Sequence, residues 1–308
     1  MGAGRVSRRF FWLRRLFWLT RWRLAAVWAR RLSPPASARL AVSLHLRSGM
    51  PSAWPLMRHR NGYVREAALN ALEVPIVSAE ELRELADRLN DWVPEVRTAA
   101  LAAARRLFAT ASTDIVVAAA PYLLSRWSLW QRWEPPAIAE VDVLLGRPDV
   151  VRQLASGLMS ARNGGVGRQL QHLLRHEWID GFLVELARGA VQPQVRKVAF
   201  QTLLAGEARW RSPHVKRAEE LRYAIYKSGL TFEHRPLTVQ VDRNVLVEAG
   251  LRDRFASVRW LAAGALVESS VQVVREEQAI ARLLKDKSRS VRERGQFLAR
   301  RASVANGD

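Results

Sequence analysis

Apolar and small residues recur along the chain with the spacing of one helix face. Val64, Ala68 and Leu72 form one such set, followed by Val96, Ala100 and Ala104, by Val195, Ala199 and Leu203, by Val258, Ala262 and Leu266, and by Val291, Gly295 and Ala299. Residues at i, i+4 and i+8 lie on one side of an α-helix, so each set predicts a helix with one buried stripe. The first residue of every set is followed by an arginine: Arg65, Arg97, Arg196, Arg259 and Arg292. Successive arginines are 32, 99, 63 and 33 residues apart, near multiples of a period of 32 to 33. One helical unit is therefore repeated. The small middle residue of each set lets neighbouring helices approach closely, as a stack of helical pairs requires. Asp91, Asp253 and Asp286 stand five residues before their valines, and Pro94 and Pro193 stand two before, both suited to a helix start.

The period predicts further copies near residues 130, 163 and 228, where the motif is degenerate or missing. Near 163, Asn163, Gly164, Gly165, Val166, Gly167 and Arg168 lead into Leu170, Leu173 and Leu174, which reads as a loosened turn and an inner helix. Near 228, the alternating Thr238, Val239, Gln240 and Val241 read as a loop or short strand pair, so an irregular insertion is expected around 229–247. Residues 1–50 form a separate segment, with 51–308 carrying the repeats.

With these residues the chain resembles the HEAT-repeat family, including its bacterial phycobilin-lyase-type repeats; the clearest copies run from Asp91 to Ala104 and from Asp253 to Leu266. The resemblance implies an all-α, right-handed α-solenoid of about seven to eight antiparallel helical pairs. It also implies that the turn aspartate and the arginine after valine form a hydrogen-bonded ladder between neighbours. Asp91, Arg97, Asp253, Arg259, Asp286 and Arg292 are structural on that view, and His59 and Ala190, in the aspartate slot, interrupt the ladder.

Charge changes this picture more than overall composition does. The net charge is +20, but residues 1–65 hold 14 arginines and no acidic residue, residues 66–251 hold 23 basic against 22 acidic residues, and residues 252–308 hold 12 against 7. Such a balance points to an anionic partner: nucleic acid, an acidic protein or an anionic membrane surface. Within residues 5–32, nine arginines interleave with Phe10, Phe11, Trp12, Phe17, Trp18, Trp22 and Trp28, predicting a basic aromatic helix that is not cleanly two-faced. It suits a cap on the first repeat, a helix lying in a membrane surface, a nucleic-acid or acidic-protein contact, or an organelle-targeting segment. The apolar runs there are broken by Arg14, Arg15, Arg21 and Arg23, so neither a membrane span nor a secretory signal is predicted. The absence of cysteine excludes disulfides, thiol catalysis and thiolate metal sites.

Four constellations hold candidate chemistry. Trp127, Trp130 and Trp133 are spaced to share a helical face near Asp142, residue types that HEAT-like alkylpurine DNA glycosylases use around a damaged nucleotide. No diagnostic motif accompanies them, and packing is the plainer reading. His172 and His176 have helical i, i+4 spacing, but Leu173 stands where a metalloprotease would need glutamate. The glycines at 164, 165 and 167 lack the preceding strand and following lysine of a phosphate loop. No Gly-x-Ser-x-Gly turn is present.

The sequence therefore predicts a non-enzymatic, cytoplasmic scaffold without cofactor or metal. Its repeat surface binds a partner protein, and its basic ends contact nucleic acid or another anionic surface. The candidate anion-binding residues are Arg8, Arg9, Arg14, Arg15, Arg21 and Arg23 at one end and Arg289, Arg294, Arg300 and Arg301 at the other, with Arg105, Arg106 and Arg168 on inner helices. The alternatives are a DNA glycosylase using Asp142 and Trp130, a peripheral membrane scaffold, and a chromophore lyase by family analogy alone.

Overall fold

A computed structural model describes residues 33–48, 52–127, 129–211, 217–220, 225–227, 232–268 and 276–305. Arg8, Arg9, Arg14, Arg15, Arg21 and Arg23 lie outside the described residues, as does the basic helix expected over 5–32. The protein is mostly helical, with 14 α-helices and little strand among the described residues. Two compact units are present: the described residues up to Ala119 with Trp130–Leu144, and Ala120–Leu129 with Leu145 onward.

The first unit contains α1 (Pro34–Arg47), α2 (Gly62–Asn70), α3 (Ala79–Arg88) and α4 (Pro94–Leu107). Helix α1 packs on α2, α2 on α4, and α3 on α4. The valine-led stripes form this core: Ala68, Val96, Ala100 and Ala104 are fully buried, and Leu72 nearly so. Ser78 caps α3 by accepting from the backbone N–H of Glu81, and Pro94 opens α4 where no intrahelical N–H bond is lost. Helices α5 (Thr113–Arg126) and α6 (Pro135–Leu145) follow. Ala137, Val141 and Leu145 of α6 are buried and repeat the i, i+4, i+8 stripe, so the copy expected near 130 is present seven residues later.

The second unit holds α7 (Pro148–Ser160), α8 (Val166–Leu173), α9 (Leu183–Gly189), α10 (Pro193–Ala205), α11 (Arg243–Gly250), α12 (Ala256–Val267), α13 (Glu276–Leu284) and α14 (Arg289–Ala305). Helix α9 packs on α10, α11 on α12 and α13 on α14, while α8, α10, α12 and α14 each pack on the next in that series. Leu170 and Leu174 are buried behind Val166, so the copy expected near 163 is also helical. At Gly295 the small slot is obligatory: a Cβ there would lie 2.8 Å from Leu283 Cβ.

The insertion expected around 229–247 overlaps a longer one that begins earlier: the strand Phe232–Pro236 and the irregular residues up to α11 fall inside that range, and the strand it pairs with starts at Glu207. Gly206 ends α10 in the left-handed conformation (φ 71°), and the chain enters a β-arm. Strand β1 (Glu207–Arg211) pairs antiparallel with β4 (Phe232–Pro236), and between them β2 (Arg217–Glu220) pairs with β3 (Ile225–Lys227). The 63 residues from Val195 to Val258 are thus one repeat of 33 plus the 30 residues of this arm. The alternating Thr238–Val241 is a connector, because the Thr238 amide and hydroxyl both bond the Asp180 carboxylate. Asp242 then caps α11, accepting from the N–H groups of Asn244 and Val245.

Arg235 of β4 anchors the arm. Its guanidinium makes two bonds to Asp180, each 2.7–2.8 Å, and also donates to the carbonyls of Leu174 and His176. Burial alone would raise the Asp180 pKa, but the bonds from Arg235 and Thr238 outweigh it and hold the carboxyl below its usual range.

Candidate functional site

The arginine after each repeat valine works as a two-sided clamp. Its Nη1 donates to the carbonyl five residues before its own valine: Arg65 to His59, Arg97 to Asp91, Arg196 to Ala190, Arg259 to Asp253 and Arg292 to Asp286. Its other edge takes the turn aspartate of the next copy in bidentate fashion, Arg65 with Asp91 at 2.8–2.9 Å and Arg259 with Asp286 at 2.6–2.8 Å. Arg196 reaches Asp253 in the same way across the β-arm. Each of these aspartates also accepts the backbone N–H two residues on, at Val93, Phe255 or Ser288, which fixes the turn. The hydrogen bond from Arg259 is the main cause that lowers the Asp286 pKa. In the first unit the clamp after Arg97 changes partner, because α6 has no turn aspartate, and Arg97 bonds the half-exposed Glu134 at 3.3 Å.

Since every ladder aspartate is engaged, other basic residues on the same turns keep an unneutralised charge unless a second acid is near. In the first unit such acids flank Arg88 and Arg58, though Arg60 has none among the described residues. Arg88 pairs with Glu84 and Asp91, and Arg58 with Glu80 and Glu84. The turns of the second unit lack them. Arg188 at the end of α9, Arg252 and Arg254 after α11, Arg282 and Lys285 at the end of α13, and Lys287 in the next turn are all exposed and form no ion pair among the described residues.

These six cations surround two adjoining cavities. The first, about 440 Å³, is lined by the exposed Arg188, Ala249, Arg252 and Arg254, by the Arg196–Asp253 pair, and by the largely buried Ala187, Phe200, Leu246, Gly250 and Val258. The second, a wide depression of about 810 Å³, carries Arg252, Arg254, Arg282, Lys285 and Lys287 beside the Arg259–Asp286 pair. Arg254 is held in place: it stacks on Phe255 at 5.3 Å, donates to the Val191 carbonyl at 3.1 Å, and Arg196 lies 4.7 Å from the same ring. Gly250 is required where α11 meets Phe200 of α10, because a Cβ would come within 2.3 Å of the ring.

The arginines singled out in the sequence divide differently. Arg106 donates to the Leu69 and Leu72 carbonyls, and Arg301 to those of Leu266 and Val267, so both cap the preceding inner helix. Arg294 lies flat on Trp260 at 3.6 Å in the space left by Gly264, and burial lowers its pKa. Arg105 bonds Glu140, and Arg289 bonds Glu293 within its own helix. Arg168 and Arg300 are exposed and form no ion pair among the described residues. The residues around the cavities were missed because Arg188 lies in the near-neutral stretch 66–251 and the other five, in 252–308, look in sequence like the arginines there that cap helices and close turns; only knowing which acids the ladder consumes reveals the free cations.

The other constellations come apart. Trp127, Trp130 and Trp133 do not share a helix face, because α5 ends at Arg126 and the next helix starts at Pro135. Trp130 and Trp133 meet at a tilt of 39° with ring centroids 4.3 Å apart, Trp133 being nearly buried. Trp127 instead meets His176 edge-on at 5.1 Å, and His176 stacks on Trp178 at 4.9 Å. Helix α8 ends at Leu173, which takes His176 off the helix that carries His172. Among the described residues no three His, Asp or Glu side chains gather to hold a metal ion, and no helix is long and apolar enough to cross a membrane. Gly164 has φ 88° in a turn that follows a helix rather than a strand.

In comparison with known proteins, the chain matches no family model, and no curated protein is significantly similar to it in sequence.

Proposed function

We propose that the protein is a non-catalytic HEAT-type α-solenoid scaffold that holds an acidic partner protein, with the cationic turns of its second unit as the contact surface. The solenoid reading is supported by the valine-led stripes in successive inner helices and by the arginine clamps that tie each turn to the next. One observation carries the functional reading: six exposed cations face two adjoining cavities in which both carboxylates, Asp253 and Asp286, are already bonded to arginine. Such a surface attracts an anionic partner and excludes a cationic one.

Protein is favoured over nucleic acid because residues 66–251, with 23 basic against 22 acidic residues, lack the excess of cations that a duplex favours. The one aromatic residue lining the first cavity, Phe200, is buried and offers no exposed ring for a base to stack on. A membrane surface would call for projecting apolar side chains rather than a recess. The basic N-terminal arginines add attraction for the same partner.

The test compares the full chain with a charge-reversed variant, Arg252→Glu with Lys285→Glu, for binding to polyglutamate at moderate salt. Polyglutamate is expected to bind the native chain and to lose at least about tenfold in the variant, each reversal of an interfacial charge costing on the order of 1 kcal/mol or more. Equal binding by the two proteins would remove the turns as the contact surface.

A further inference from the structure

The packing of α12 on α14 shows which side of such a helix meets its successor. Arg294 lies on Trp260 and fills the space left by Gly264, and Arg301 bonds the Val267 carbonyl, so Trp260, Gly264 and Val267 line that side of α12. Counted 33 residues on, the equivalent side of α14 carries Glu293, Phe297 and Arg300, and Val304 continues the same stripe one turn further. Gly264 is buried, whereas Phe297 is 46% exposed, and Glu293, Arg300 and Val304 are exposed with it. Helices α11 and α13 repeat the contrast: Leu251, just after α11, is 4% exposed, and Leu284, 33 residues on at the end of α13, is 39% exposed. A helical pair that served only to close an array would turn a polar side outward. This pair turns out Leu284, Phe297 and Val304, the mark of a surface that another chain covers.

The charges on the stripe indicate what covers it. Glu293 and Arg300 stand on either side of Phe297, and opposite charges flanking an apolar centre make the stripe complementary to itself, as a twofold contact between identical surfaces requires. Two such helices laid antiparallel about an axis at Phe297 bring each Glu293 level with Arg300 of the other helix to within about 1.5 Å along the axis, and the two phenylalanines meet at the centre. Glu293 is paired with Arg289 within its own helix, but both side chains are exposed and the pair exchanges at little cost; Arg300 has no ion pair among the described residues. We infer that this face of α13 and α14 binds a second copy of the chain, with Phe297 packed on its counterpart and Glu293 of each copy meeting Arg300 of the other. None of these residues lines the two cavities, so self-association is read separately from the binding of an acidic partner.

The experiment is sedimentation velocity of the full-length chain over a concentration series. The expected result is a species of twice the 34.9 kDa monomer mass, with a dissociation constant in the micromolar range or tighter. Phe297→Glu, a change at an exposed position, should raise that constant about tenfold or more. Glu293→Arg alone and Arg300→Glu alone should each weaken the dimer by setting like charges together, and the two combined should restore it to within a few-fold of the native chain. This charge exchange serves if the Phe297 variant fails to fold. A chain that stays monomeric overturns the inference, as does a dimer that none of these variants weakens, since it would form through another face. Binding to phosphatidylglycerol vesicles that Phe297→Glu abolishes, with no dimer in solution, would assign the face to a membrane surface and overturn it too.

Discussion

A single arginine position carries much of the order in this protein. In each of the five valine-led copies the arginine after valine bonds its own turn, and three of them also seize the aspartate of the next. Arg65 and Asp91 are nearly inaccessible, with side-chain exposures of 4% and 1%, so removing one partner strands a buried charge. Asp91→Ala is therefore expected to lower the unfolding free energy by about 3–5 kcal/mol in chemical denaturation; a loss below about 1 kcal/mol would mean that the clamp contributes little. The bonded carboxyls of Asp180 and Asp286 titrate below the usual range. Their contribution to stability is complete above the unfolded carboxyl value of about 3.9 and is lost as the pH falls through their lower folded values. The thermal midpoint should accordingly fall in that acid window, and Asp286→Asn, less stable at neutral pH, should fall less steeply; parallel curves would contradict the assignment. The clamp residues were legible in the sequence because they recur at a fixed place. The second capping position, Arg106 and Arg301, ten residues after the valine in its copy, was legible only as charge, since a guanidinium on a carbonyl looks in sequence like one free for a ligand.

Among the elements, the helices were legible and the arm only in its second half, where an insertion around 229–247 was expected. Apolar stripes at i, i+4 and i+8 mark a helix wherever burial is one-sided, and even the shifted copies at Ala137 and Val166 keep them. The arm's first strand escaped because β1 and β4 are short and bury only Ala208 between them, so no buried stripe records them. Its attachment has a measurable consequence. Removing Glu207–Pro236 and joining Gly206 to Leu237 restores the spacing of 33, and Arg196 keeps Asp253, but Asp180 loses Arg235. The deletion alone should cost on the order of 3–5 kcal/mol, and the deletion combined with Asp180→Ala should recover part of that loss. Non-recovery in denaturant melts would show that the arm stabilises the second unit through contacts other than this pair.

At the scale of the whole molecule, the net charge of +20 conceals where charge is available. Arginines that cap helices, close turns or lie on tryptophan are occupied, and on the first unit's turns Arg58 and Arg88 are neutralised by Glu80, Glu84 and Asp91, while Arg60 is exposed without an ion pair among the described residues. On the turns of the second unit six exposed cations without such a pair gather around Arg252 and Arg254. Partner class was only half legible for that reason: an anionic partner follows from composition, but the cluster of cations without acidic partners exists only once α9, α11 and α13 bring their turns together. The central claim is that this surface binds acidic protein in preference to nucleic acid. Titration of the full-length chain with polyglutamate and with duplex DNA across a salt series tests it directly. Polyglutamate binding that weakens with salt, exceeds DNA binding at physiological ionic strength and is lost in Arg252→Glu with Lys285→Glu is the predicted result. Tighter binding of DNA, with a steep salt slope that the double reversal flattens, would contradict it.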